Sequence, residues 1–467
     1  MKTASRSTLP RIGGVPRRAE LAYNRASDAM SDLTPFLSDQ AGPLGARVEG
    51  LVRGHLRIWE LSVSDAAPAG RRYTRRDKRL AEEELSRLVS GLSSESVRTA
   101  FLDRTLNAPQ LEALGAGLKP SFKRLLELTG LPLEAVYDAR FIDATRRFIR
   151  TARDFDPDLG LASAYQALRN VWIMNSLQFD LGLPVEPTEA TFAYSMVYPY
   201  LDNLLDDAGA GESGKLEVLA RLRRWLEGTD AAAAAPREEK LRSLVRLIEG
   251  RFPRPSFPGV YQSLLAIYNA QVKSLLQQRQ GSASSADEIL AISLEKGGTS
   301  VLADGYLVAG ALGPRDEEFC FGFGTFLQLA DDLQDIAEDA RCGHRTLFSA
   351  GPAGGRLDAT ALRLEAYLAT VLDRARGGAT PARDALCDAI GGGLTLMFRE
   401  SVGKEKRYFR RGMVRRARHG FPVRFSYLRK LRRRLKDRLP DKCEKLADLD
   451  PGLAALMALS TRAFSLD

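Results

Sequence analysis

Leu216, Leu219, Leu222 and Leu226, and later Leu241, Leu244 and Leu247, recur every three or four residues. That spacing puts apolar side chains on one face of an α-helix. Nothing else in the 467-residue chain competes with the pattern. Ala, Leu, Arg and Glu dominate and runs of β-branched residues are nearly absent, so the chain reads as helical almost throughout. Such a chain buries its apolar faces only by packing helix on helix, and the predicted fold class is all-α.

Composition narrows the function classes. With 44% hydrophobic and 27% charged residues the chain has the balance of a globular protein. No window reaches the roughly 18 uninterrupted apolar residues of a membrane span. The most apolar stretch, Ser300 to Gly313, is broken by Asp304, so a membrane-spanning transporter or receptor is excluded. The first residues, Met1 to Arg11, carry charge and hydroxyls without an apolar core, unlike a secretory signal. Cys320, Cys342, Cys387 and Cys443 form no close pair. Neither a zinc ribbon nor a disulfide framework is indicated, and a reducing cytoplasm is the expected location. Three histidines, His55, His344 and His419, are too few for His-rich metal sites or for the Glu-x-x-His pairs of di-iron bundles. No Gly-rich strand-turn-helix marks a nucleotide site.

Gly, Pro and Ser divide the helices. Loops are expected at Ala208–Gly214, Gly228–Pro236, Phe252–Pro258, Gly281–Ala286 and Gly351–Gly355, with a linker at Asp65–Arg72. The Ala-rich run 231–235 reads equally as loop or helix extension. The expected organisation is a loose basic tail (1–18), an N-terminal helical region (19–150), a core domain (151–440) and a C-terminal helical tail (441–467).

Two carboxylate clusters carry the chemistry. In the first, Asp202, Asn203, Asp206 and Asp207 follow the apolar Tyr198-Pro-Tyr-Leu. Asp202 and Asp206 are four apart and share a helix face. Carboxylates that close repel unless a cation lies between them, and a hard divalent ion such as Mg²⁺, shared with substrate phosphates, suits them. The plain alternative is a solvated helix end before Gly209 and Gly211. In the second cluster, Asp331, Asp332 and Asp335 with Glu338 or Asp339 continue the run Gly322-Phe-Gly-Thr-Phe-Leu-Gln328-Leu-Ala. Buried carboxylates are costly unless paired or metal-bound. The alternative here is an exposed acidic face balanced by arginines. Two facing acidic helices holding Mg²⁺ would clamp a diphosphate and let a carbon–oxygen bond ionise.

The pair resembles the two aspartate-rich motifs of the class I isoprenoid synthases, which include trans-prenyltransferases, squalene and phytoene synthases and class I terpene cyclases. Gly324-Thr-Phe-Leu-Gln-Leu-Ala-Asp-Asp-Leu-Gln-Asp is similar to the prenyltransferase segment in which Phe-Gln precedes Asp-Asp-x-x-Asp. Gly343-His-Arg-Thr-Leu-Phe resembles the Gly-Lys-x-Thr-Leu that follows it, and Lys296-Gly-Gly-Thr299 resembles a diphosphate-touching Lys-Thr motif. The resemblance spans roughly 160–440. It implies a helical bundle around a central active-site cavity, with an N-terminal helical extension. It implies up to three Mg²⁺ ions on Asp202, Asp206, Asp207, Asp331, Asp332 and Asp335, and a prenyl diphosphate held by Lys296, Thr299, Gln328, Arg345, Arg407 and Tyr408. Of these Asp202, Asp206, Asp331 and Asp335 would be the catalytic carboxylates.

The departures steer the product. The first motif reads Asp-x-x-x-Asp-Asp, nearer the squalene/phytoene form and a Tyr-Leu-Asp-Asn-Leu form of bacterial terpene synthases. Tyr306-Leu-Val-Ala-Gly-Ala-Leu-Gly is also similar to a squalene/phytoene signature. The Arg-Arg pair and early Gly-Gly-Lys-Arg that serve isopentenyl diphosphate in elongating enzymes are not in place, and neither is the Asn-Ser-Glu triad of many cyclases. The expectation leans to a terpene synthase, with a trans-prenyltransferase, elongating or head-to-head, as alternative. A non-catalytic helical membrane-binding protein is the reading from another class. Dimers are common in the resembled family, which leaves a homodimer open, but the sequence does not fix the oligomeric state.

Gly297-Gly298 is expected to bend or break its helix and admit a ligand. The helices at Tyr165–Trp172 and Tyr268–Gln278 carry polar residues that line a cavity or bond between helices. Phe192, Tyr194, Tyr198 and Phe326 are candidates for an apolar pocket with aromatic faces toward a carbocation, or for ordinary core. Residues 404–438 hold sixteen Lys/Arg against Glu405 and Asp437. This segment could close the active site, lie on an anionic membrane or stay solvated. Nucleic acid is not expected, because no recognised motif accompanies the charge. Leu428, Leu431 and Leu435 mark one face that packs on protein or lipid.

Overall fold

The computed structural model describes residues 35–62, 71–92, 120–121, 123–132, 138–159, 161–205, 211–275, 285–350, 356–377 and 380–438, and some side chains within these ranges, Tyr165, Asp202 and Asn203 among them, fall outside that description. Every regular element among the described residues is helical. In chain order the longer helices are α1 (Gly42–Leu61), α2 (Arg75–Leu92), α3 (Ala139–Phe155), α4 (Leu161–Asp180), α5 (Glu189–Leu205), α6 (Gly211–Leu226), α7 (Pro236–Arg251) and α8 (Pro258–Ser274). They continue as α9 (Ala286–Ala309), α10 (Pro314–Gln334), α11 (Ile336–Cys342), α12 (Asp358–Arg376), α13 (Pro381–Lys404), α14 (Arg411–Gly420) and α15 (Phe425–Arg438).

Local sequence sets many of the ends. Ser285 and Glu288 close a reciprocal capping box at the start of α9, satisfying two otherwise orphaned amide donors. Thr380 caps α13 ahead of Pro381, and Pro236, Pro258 and Pro314 open α7, α8 and α10, where the missing N–H costs nothing. The run Ala231–Ala235 does not extend a helix. Its polar backbone is taken by side chains: the Trp225 indole donates to the Ala231 carbonyl at 2.8 Å, and the Ala234 amide donates to Glu238 at 2.9 Å.

α9 is the axis of the bundle. From Ile289 to Leu307 nearly every residue is buried, the mark of a helix packed on all sides. It packs against α1, α4, α5, α8 and α10. The loops expected at 228–236 and 252–258 are found. Gly211–Gly214, expected as loop, is the first turn of α6. The linker and the loops at 281–284 and 351–355 lie outside the described residues, apart from Arg71 and Arg72. The boundary expected near residue 150 falls inside α3, and α1 packs on α8, α9 and α12. The apolar face of α1, with Leu44, Val52 and Leu56 at most 2% exposed, needs the same core as its neighbours.

The C-terminal basic helices lie on protein. Met413 and Ala417 of α14 join the main core, while Phe421, Val423 and Leu428 pack with Ala81 and Leu85 of α2. Leu428 and Leu431 are therefore buried, and the side chain of Leu435 is outside the described residues. No described helix is long and apolar enough to cross a membrane.

Candidate functional site

The second acidic cluster closes α10, and the contact of α10 with α9 decides where each carboxyl goes. Gly297 and Gly298 do not break α9, which runs unbroken from Ala286 to Ala309. They let α10 approach: a Cβ on Gly297 would stand 2.5 Å from Gln328 Cβ, and one on Gly298 2.4 Å from the Phe321 ring. The backbone approach expected for a ligand is made by a helix instead.

This seam turns Asp332 inward. The sequence pairs Asp332 with Asp331 as a metal ligand, but it is 5% exposed. Its Oδ1 accepts from the Gln328 amide at 2.8 Å and its Oδ2 from the Ser293 hydroxyl at 3.3 Å. Burial pushes its carboxyl up to about 7; the Gln328 bond opposes that and the Asp331 charge adds to it. Asp332 thus belongs to the α9–α10 packing, and Gln328, expected to bind substrate, is engaged in holding it. Thr299, also expected at the diphosphate, is drawn into the core. It is fully buried, and its hydroxyl donates to the Glu295 carbonyl at 2.6 Å, which leaves no proton to offer a diphosphate.

Asp331, Asp335 and Asp339 stand on the other side, one helical turn apart. Asp335 closes α10 and caps α11, so the stripe crosses the junction. Burial and then the Asp331 charge raise the Asp335 carboxyl, against Lys404 and Arg169. Burial and then Asp335 push Asp339 up to about 6, against a bond from Thr346 and the charge of Lys296. Glu338, the alternative fourth member, is drawn outward to Arg341, so Asp339 completes the stripe.

Cations from three helices surround these acids. Arg169 of α4 reaches Asp331 at 3.6 Å. Lys296 of α9 acts on both Asp332 and Asp339. Lys404, at the end of α13, donates to the Gln334 carbonyl at 3.1 Å. Arg407 follows in the short turn Lys406–Tyr408, exposed, 3.8 Å from Glu405 and stacked 4.7 Å over the Tyr408 ring. The Tyr408 carbonyl accepts from the Leu357 amide at 3.0 Å, pinning that turn to the bundle. Arg345 lies in the turn after α11, next to the Thr346 that bonds Asp339.

A buried polar seam fixes α5 against α9. The Tyr198 hydroxyl bonds Ser300 at 2.7 Å and Tyr194 at 3.0 Å. Asn170 of α4 donates to both Ser195 (3.2 Å) and Asp304 (3.0 Å). Rising numbers on α5 meet falling numbers on α9, so the two helices run antiparallel. One turn past Tyr198 and one turn before Ser300 bring Asp202 and Lys296 to the same level. Asp206 and Asp207 lie outside the described residues.

Of the aromatic candidates, Phe192, Tyr194 and Phe326 are buried in the core, and Tyr198 is half-buried against it. Phe192 packs on Phe148 and Phe155 with ring centres 5.7 Å apart in each pair, and Phe326 is 1% exposed. The polar residues of α8 bond between segments: Asn269 clamps Ser38 through both its amide atoms, and the Tyr268 hydroxyl donates to the Phe36 carbonyl. Sequence reasoning did not single out Arg169 or Lys404 for the site. Arg169 showed only as one polar residue of a mixed-face helix, and Lys404 was submerged in a basic run.

As donors, Asp331, Asp335 and Asp339 fit a hard divalent ion, being all oxygen and mutually repelling. Among the described residues no group of three His, Cys, Asp or Glu side chains converges tightly enough to enclose an ion. Further oxygens would have to come from a ligand or from the first cluster. No protein family's sequence profile, no curated protein and no solved structure matches the chain.

Proposed function

We propose that this chain is a class I isoprenoid synthase that ionises an allylic prenyl diphosphate and releases diphosphate, most closely in the manner of a terpene synthase. One observation carries the reading. A stripe of crowded carboxyls, Asp331, Asp335 and Asp339, is ringed by Arg169, Lys296 and Lys404 from three other helices. Burial and neighbouring acid charge raise the Asp335 and Asp339 carboxyls, and such a stripe beside Arg169, Lys296 and Lys404 suits a substrate that is anionic and arrives with divalent metal.

Asp331, Asp335 and Asp339, with Asp202, Asp206 and Asp207, would hold Mg²⁺ in this reading. When bound, Mg²⁺ neutralises the diphosphate oxygens and makes them a better leaving group. Arg169, Lys296, Lys404 and Arg407 would bind those oxygens directly, Arg through paired donors. The apolar interior of the bundle would keep water from the allylic cation. The Asp-x-x-x-Asp-Asp form of the first cluster supports the cyclase branch over chain elongation. A cytoplasmic location completes the proposal.

Incubation of purified protein with Mg²⁺ and prenyl diphosphates of increasing length, with and without isopentenyl diphosphate, tests it. A hydrocarbon or alcohol from one allylic substrate alone supports the terpene synthase. A longer diphosphate made only with isopentenyl diphosphate replaces it with an elongating prenyltransferase, and a hydrocarbon of doubled length with the head-to-head branch. No diphosphate release from any substrate, with Asp331→Ala indistinguishable from wild type, refutes the enzyme and leaves a non-catalytic helical protein.

A further inference from the structure

Residues 71–79 carry six Lys/Arg against the single Asp77. They lie far from the C-terminal basic run in sequence, yet the fold joins the two. The Tyr73 amide donates to the His419 carbonyl at 2.9 Å. The Lys78 ammonium donates to the carbonyls of Arg418 and Phe421, the latter at 2.8 Å. Arg424 forks onto Glu82, its Nε 2.9 Å from Oε1. Lys78 and Glu82 are buried and serve to fasten α2 onto α14 and α15.

What remains outside is cationic. Arg75, Arg76 and Arg79 on α2, and Arg415, Arg418 and Arg429 on α14 and α15, are exposed and form no ion pair with a described residue. Both C-terminal helices lie flat, with Met413, Ala417, Leu428 and Leu431 turned into the protein. The result is one broad basic face assembled from two distant segments.

We propose that this composite face docks the protein on a membrane surface rich in anionic phospholipid. A spread of Arg and Lys over several flat-lying helices matches a diffuse array of headgroup charge. Nucleic acid fits less well. Neither helix projects to enter a groove, and segments 71–79 and 411–433 contain no Asn or Gln to read base edges. The inference does not depend on the catalytic reading.

The test uses the full chain, sedimented with vesicles of phosphatidylcholine alone or mixed with phosphatidylserine, at low and high salt. Binding should require phosphatidylserine and fall steeply with salt. Each lost cation should weaken it about fivefold. The triple variant Arg75→Glu, Arg76→Glu, Arg79→Glu and, separately, the pair Arg415→Glu, Arg418→Glu should each lose at least tenfold, with unchanged thermal melting. Absence of binding to the anionic vesicles overturns the proposal, as does equal binding to neutral vesicles. Wild-type binding by the α2 variant also overturns it, since the C-terminal run alone would then suffice. Capture by duplex DNA with no vesicle binding would assign the face to nucleic acid instead.

Discussion

A Cβ on Gly324 would stand 2.1 Å from the carbonyl oxygen of Gly297 on the facing turn of α9. This contact sets the distance between the two central helices, and with it the side of α10 on which each aspartate emerges. Gly324→Ala should destabilise the protein by more than the ~1–3 kcal/mol typical of overpacking, because the obstacle is backbone. Gly393, inside α13 with nothing within 4 Å of its would-be Cβ, is the control. Gly393→Ala should stabilise by up to about 1 kcal/mol. Denaturant melts of both variants check the pair, and a neutral Gly324→Ala contradicts the close seam.

If the acid stripe works as proposed, Asp331→Ala should lower kcat at least ~100-fold, the scale seen when one stabilising group is removed. Thr299→Val should leave turnover near wild type, since that hydroxyl is spent inside α9. Steady-state release of diphosphate measures both. A large loss in Thr299→Val with an intact fold would restore it to the substrate site.

Arg169 pairs with Asp331, and Arg169 and Lys404 both act on Asp335. Arg169→Met should raise KM for a prenyl diphosphate about tenfold, roughly the worth of one charge-assisted bond. An unchanged KM would make Arg169 a purely structural partner of Asp331.

His55 of α1 is buried with its Nδ1 2.7 Å from the Tyr367 hydroxyl. Burial, with Arg374 adding, holds its imidazole down at about 3, against an ordinary 6.5. The unfolded chain takes up this proton near 6.5 while the folded one refuses it until about 3. The contribution is therefore intact above 6.5 and is lost as pH falls, by ~1.4 kcal/mol per unit. His55→Gln should lose less stability than wild type between pH 7 and pH 5; parallel pH–stability curves would contradict this.

Asp304 has the opposite sign. It is fully buried, with Oδ2 unpartnered, and burial raises its carboxyl well above the usual range against the Asn170 bond. Its folded form keeps a proton that the unfolded chain gives up near 3.8, so its contribution is full below that pH and is lost as pH rises. Asp304→Asn should raise the melting temperature at pH 8 more than at pH 4. A pH-independent difference would show that Asp304 does not titrate in this way.

Helix content, the absence of a membrane span among the described helices and the acid-rich end of α10 were all legible in the chain, because each rests on local spacing and composition. The period also had a limit. Leu241, Leu244 and Leu247 all follow it, yet Leu247 is only half-buried while the next residue, Ile248, is 1% exposed. Local spacing was enough to dictate that helices form and, to within a residue, which faces must be covered. It took the packing of distant helices to turn Asp332 to Ser293 and Asp331 to Arg169, to fill the gap at Gly297 and Gly298 with a helix, and to join residues 71–79 to the C-terminal cations. Those outcomes depend on the register and separation of helices far apart in the chain, and a helical period repeats too often to specify either.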